Sequence, residues 1–178
     1  MPQLRRPGAA EVRDAVVDNA VLAASCLVAY WLTTHVLSHV YLVSKDDGVL
    51  GGLWAVISTI FVFRDSYQRS IAAAVSRMSA TLLSFLVCLV YLSFLPFHVW
   101  ALALLIGISG LAARLIGRPE DAATAAITTA VVMVVGSLSP RNAWQQPILR
   151  FADTLVGVAV GVVAAWLALR LIHRRQPG

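Results

Sequence analysis

Charge is scarce in this chain. Of its 178 residues only 13% are Asp, Glu, Lys or Arg while 59% are hydrophobic, and mean hydropathy is +0.79. A soluble domain carries about 25% charged residues, so this balance excludes one and points to an integral membrane protein. Lysine is scarcer still. Lys45 stands alone, and Ser44-Lys45-Asp46 is no phosphate-binding loop, so the chain does not hydrolyse ATP. The two cysteines, Cys26 and Cys88, both lie in apolar runs and suggest neither a disulfide framework nor a zinc site. Gly107-Ile-Ser109-Gly110 falls inside an apolar run and is not a nucleophile elbow. Nothing resembles a soluble catalytic site, so neither an enzyme nor a cofactor is expected. His35 and His39, spaced i, i+4, would need a third ligand to hold a metal, and no metal is expected. The net charge of +5 and pI near 9.9 come from basic residues scattered at the ends of apolar runs. They form no stripe, so nucleic acid is not an expected partner; the lipid bilayer is.

What the chain has is apolar length. Residues 1–19 form a polar lead-in whose last part suits a short interfacial helix, and residues 20–43 a first span too long for a cleavable signal core. Asp47-Gly48 predicts a turn over 44–48, followed by a short second span over 49–63 that opens with Gly51-Gly52. Ser70 is the expected cap of the third span. From Met78 to Ala113 no acidic or basic residue but His98 appears, and Pro96 divides that run into third and fourth spans with a hairpin at Leu95-Pro96-Phe97-His98. A fifth span covers Ala122 to Leu138 and a sixth runs from about Ile148 to Ile172. The expectation is all-α: one membrane domain of six transmembrane helices, with repeats over 20–96 and 97–172 and a tail over 173–178. With the N-terminus inside, Arg5, Arg6, Arg13, Arg64, Arg69, Arg77, Arg114, Arg118, Arg170, Arg174 and Arg175 fall on the inner side, against Lys45, Arg141 and Arg150 outside. Both termini are therefore expected to be cytoplasmic, in the inner or plasma membrane.

Two stretches echo each other. Arg77-Met-Ser-Ala-Thr81-Leu-Leu-Ser84-Phe-Leu-Val-Cys88 aligns without a gap to Arg150-Phe-Ala-Asp153-Thr154-Leu-Val-Gly157-Val-Ala-Val-Gly161, 73 residues on. Positions i, i+4, i+7 and i+11 of a helix lie within ~60° of one another, so each copy has a face reading Arg, Thr, small, small. Ala55-Val-Ile-Ser58-Thr59 resembles Ala125-Ala-Ile-Thr128-Thr129 at an offset of 70. Halves of three spans enter from opposite sides, which predicts a 3+3 inverted repeat. In such repeats, matching short spans mark the binding site, here the second and fifth.

Arg77 and Arg150 are the candidate anion-attracting groups; the plainer alternative is that each reaches the headgroups and only reports topology. Asp153 is placed to pair with Arg150. Thr81 and Thr154 either donate to a carboxylate or bond back to their own helices. Trp54 either stacks on an aromatic substrate or anchors at the interface, and Thr59 and Thr129 belong to the repeated short spans. Ser84, Cys88, Gly157 and Gly161 are expected to let helices approach closely.

With Trp54-Ala55, Ser58-Thr59, Arg77–Thr81–Ser84 and Arg150–Thr154–Gly157 in view, the chain resembles the membrane half of the fusaric acid resistance and aromatic acid exporter family. It is more distantly similar to the aluminium-activated malate transporters. The family commonly has Gly where Ala80 and Ser84 stand here. The resemblance implies efflux of small organic or aromatic anions by a homodimer, with Arg77 and Arg150 attracting the carboxylate. Larger members add a cytosolic domain after the sixth span, so a separate cytosolic or accessory subunit is a further expected partner. Two alternatives stay open: a passive anion channel, and an accessory or structural membrane subunit without transport of its own.

Overall fold

The computed structural model describes residues 8–37, 44–64, 66–138 and 143–173. Among them six α-helices carry the fold: α1 (Ala9–Trp31), α2 (Lys45–Val62), α3 (Tyr67–Phe94), α4 (Val99–Leu115), α5 (Ala122–Leu138) and α6 (Gln145–His173). A π-helical stretch, Leu32–Leu37, continues α1, and a single 3-10 turn, Pro119–Asp121, leads into α5. No strand occurs among the described residues. Four stretches are long and apolar enough to cross a bilayer: Glu11–Leu37, Tyr67–Phe94, Pro119–Leu138 and Gln145–Arg170. Helix α4 is apolar but only 17 residues long. Helix α2 opens on Lys45, Asp46 and Asp47.

Three helix starts differ from the sequence reading, each for a capping reason. The lead-in is not a separate interfacial helix: α1 runs unbroken from Ala9, and Glu11 closes its start by accepting the Gly8 N–H at 2.9 Å. The turn expected at Asp47-Gly48 is instead the first turn of α2. Ser44 caps it, its Oγ accepting from the Asp47 N–H at 3.1 Å, and two carboxylates there suit the positive end of the helix dipole. Ser66 caps α3 in place of Ser70, which is buried inside the helix and whose Oγ accepts the Arg64 N–H at 3.1 Å. Arg77 therefore sits deeper in its helix than expected. The hairpin at Leu95–His98 and the bounds of α5 lie where the sequence puts them.

Small residues set the packing. A Cβ at Gly157 would strike the Ala55 carbonyl oxygen, and one at Gly161 would stand 3.0 Å from Thr59 O. Only glycine on α6 lets α2 come that close, and Thr59 fastens the junction by donating to Gly157 O at 3.0 Å. Helices α3 and α5 meet in the corresponding manner. Ser84 Oγ donates to Ala125 O at 2.8 Å, and Cys88 Sγ lies 4.0 Å from Thr129 O. In the aligned repeats Gly157 and Gly161 answer to Ser84 and Cys88, and Ala55 and Thr59 answer to Ala125 and Thr129. The two junctions thus use matching residues, each joining one half of the chain to the other. The central helices α3 and α6 touch at Phe85 and Phe151, whose ring centroids are 5.3 Å apart. Helix α1 lies against α2 and α6, and α4 against α5. Leu86, Val90, Val99 and Leu115 point outward, as lipid-facing positions do.

Candidate functional site

Helix α3 buries the stripe Ala74, Arg77, Ala80, Thr81, Ser84 and Cys88, the face that the repeat predicts. Arg77 is 3% exposed, so it does not reach the headgroups. Its guanidinium carbon stands 4.9 Å from the centroid of Trp54 and 5.1 Å from that of Phe61, both on α2. One nitrogen, Nη2, lies 3.5 Å from Ser58 Oγ, at the outer limit of a hydrogen bond, while Nε has no partner. Among the described residues no carboxylate forms an ion pair with it. Thr81, one turn on, is buried and its hydroxyl bonds neither its own helix nor a neighbour. A guanidinium does not deprotonate in proteins, so Arg77 is a buried cation held by ring faces and a weak hydroxyl contact.

Arg150 is satisfied differently. It stands in the second turn of α6 yet is 2% exposed, because the N-terminus of α2 covers it. Its Nη1 pairs with Asp153 Oδ2 at 3.2 Å and its Nη2 donates to the Asp47 carbonyl at 3.4 Å. The Asp47 carboxylate is taken up by Gln146 Nε2 at 2.9 Å and by Ser44 Oγ at 2.7 Å. The Asp153 carboxylate fills a slot that Gly51 leaves open: a Cβ there would lie 2.8 Å from Oδ1. The ion pair is close but lacks hydrogen-bond alignment, and Arg150 Nε has no partner.

Trp54 joins the two arrangements. It is buried, which rules out an interfacial anchor, and its Nε1 donates to Thr154 Oγ1 at 3.0 Å while its ring faces Arg77. Thr154 in turn bonds back to Arg150 O at 2.8 Å. The fold therefore gathers Trp54, Arg77, Arg150, Asp153 and Thr154, with Thr81 on the same stripe and Thr59 at the adjoining junction. Thr129 is apart, donating to Ser109 Oγ on α4 at 3.0 Å. Sequence patterning did not single out Phe61 or Gln146, read Asp47 only as part of a turn, and marked Gly51 only as the opening of the short second span. Phe61 had a signal, since it follows Trp54 by two helical turns; Asp47 and Gln146 had none, because the helices they bridge are about a hundred residues apart in sequence.

His35 stacks on Trp31 at 5.6 Å, and His39, four residues on, lies outside the described residues, as do Arg5, Arg6, Arg141, Arg174 and Arg175. A pocket of about 410 Å³ at the α3–α4 turn is lined by Leu92, Phe94, Phe97 and Trp144 among others, and includes neither arginine.

Long apolar helices joined through small residues, with guanidinium groups enclosed among them, define an α-helical integral membrane protein. The chain belongs to the fusaric acid resistance protein-like family, whose profile matches residues 24–164 and so takes in both arginines and the helices that bury them. Membership indicates a role in membrane transport. Neither a curated protein nor a solved structure matches the chain.

Proposed function

We propose that this protein exports small organic or aromatic anions and that Arg77 is where the anion binds. One observation carries the reading: Arg77 is buried with no carboxylate partner among the described residues, beside a Thr81 hydroxyl that has none either. A cation inside the hydrocarbon costs several kcal/mol unless an anion or water meets it, so the site is incomplete until a negative group arrives. Trp54 and Phe61 flank the guanidinium, and their faces suit a flat aromatic acid. Arg150, Thr154 and Asp153 form the second station, reached through Trp54.

The reading includes six spans arranged as a 3+3 inverted repeat in the inner membrane, with both termini cytoplasmic and a homodimer as the working unit. The exchanged junctions, Gly157 and Gly161 against α2 and Ser84 and Cys88 against α5, support the repeat. A two-fold relation between halves turns one into the other. A reporter fused after Gly178 that worked only outside the membrane would overturn the orientation.

The test is flux through purified protein in liposomes. Wild type should move aromatic anions, and Arg77→Ala should abolish that flux while still inserting and assembling. The competing reading, an accessory subunit, draws on the Asp153 partner that already neutralises Arg150. It predicts no wild-type flux until a second subunit is supplied.

A further inference from the structure

The two arginines occupy matching places in the aligned stretches, but only one of them has a carboxylate three positions on. Three positions after Arg150 stands Asp153; three positions after Arg77 stands Ala80. The second half thus carries a built-in anion about one helical turn from its arginine, and the first half does not. That carboxylate is 3% exposed, meets Arg150 at 3.2 Å without hydrogen-bond alignment, and has been given room by Gly51. The charged groups that act on it are Arg150 from its own helix and Asp47 from α2, the first attractive and the second repulsive. Asp47 is itself tied to Gln146 and Ser44. A buried carboxylate with one misaligned cationic partner and a second acid nearby is the group in this cluster that can take up a proton, because arginine cannot give one up.

We propose that Asp153 is a proton-accepting stand-in for the transported anion: while ionised it occupies Arg150, and protonation releases Arg150 to the substrate. The inference rests on the transport reading above. Charge balances at each stage. Asp153 and Arg150 begin as one minus and one plus; while the site is open to the side from which the anion comes, Asp153 takes a proton from water on that side and becomes neutral. Arg150 keeps its charge, and the anion passed on from Arg77 becomes its partner. When the site opens to the opposite side and the anion leaves, Asp153 returns its proton to water on that side and closes on Arg150 again. One proton therefore accompanies each monovalent anion, and movement of the pair is electroneutral. Arg77, with Ala80 in the matching place, accepts an anion without that requirement.

The experiment uses wild-type protein and Asp153→Asn in liposomes loaded with benzenesulfonate, a strong acid that stays anionic at every pH used and does not leak as a neutral acid. Wild-type flux should rise as pH falls, by at most about tenfold per pH unit for a single proton, with matching proton movement read by a trapped dye. Asp153→Asn should give flux with no such slope and no proton movement. Equal pH slopes in the two proteins overturn the proposal and leave transport standing. Absence of wild-type flux at every pH sinks the transport reading itself. Should Asp153→Asn fail to fold, infrared difference spectra of wild type labelled with ¹³C-aspartate decide the matter. Adding benzenesulfonate should raise the carbonyl band of a protonated aspartic acid, and no such band overturns the proposal.

Discussion

The indole of Trp54 lies under the guanidinium of Arg77, 4.9 Å from ring centroid to Cζ, while its Nε1 donates to Thr154 at 3.0 Å. One side chain of α2 thereby contacts the Arg–Thr–small faces of both α3 and α6. Trp54→Phe keeps a ring for Arg77 and removes the donor, a loss of about 1 kcal/mol. Trp54→Leu also removes the cation–π contact, worth roughly a further 0.5–2 kcal/mol. Thermal unfolding in detergent should rank wild type above Phe above Leu; equal melting of the two variants would contradict the stacking.

Gly157→Ala should be among the most damaging single-methyl changes in the chain, because the new Cβ meets a backbone carbonyl at Ala55 that has no rotamer to move. Forcing α2 and α6 apart costs about 1–3 kcal/mol. Gly107→Ala has open space around it and serves as the comparison, gaining roughly 0.5–1 kcal/mol from helix propensity. A melting shift of the same sign and size in both would show that the close approach is not as described.

Gly51→Ala should be costly only while Asp153 is present. All three atoms nearest to the added Cβ belong to that carboxylate, the closest at 2.8 Å. A double-mutant cycle with Asp153→Ala reads the coupling directly. Additive losses would place the carboxylate elsewhere.

Thr59→Val and Ser84→Ala remove corresponding hydrogen bonds, to Gly157 O and to Ala125 O. Each should lower stability by about 1 kcal/mol. A loss confined to one of them would argue against equivalent junctions in the two halves.

Much of this protein is legible in the linear chain. Low charge and long apolar runs place it in a membrane, because apolar side chains are costly in water, while a helix satisfies its own backbone groups and so tolerates lipid. Pro96 forces the break between α3 and α4, and the spacing of Arg, Thr and small residues gives the buried faces of α3 and α6. Helix starts were less legible. Asp47-Gly48 reads as a turn until one sees that Ser44, three residues before Asp47, is in place to cap a helix.

What the chain could not disclose is which helix covers which face. Periodicity assigns a side to each helix but no partner, and between helices in lipid the choice falls to close backbone approach and to hydrogen bonds, both short-ranged. Only the folded arrangement decided that α2 lies over α6, bringing Asp47 and Gln146 across Arg150 near the start of its helix, where sequence alone would leave an arginine free to reach the surface. The same packing set Trp54 between Arg77 and Thr154, and gave one arginine a carboxylate while the other kept only aromatic faces and a hydroxyl.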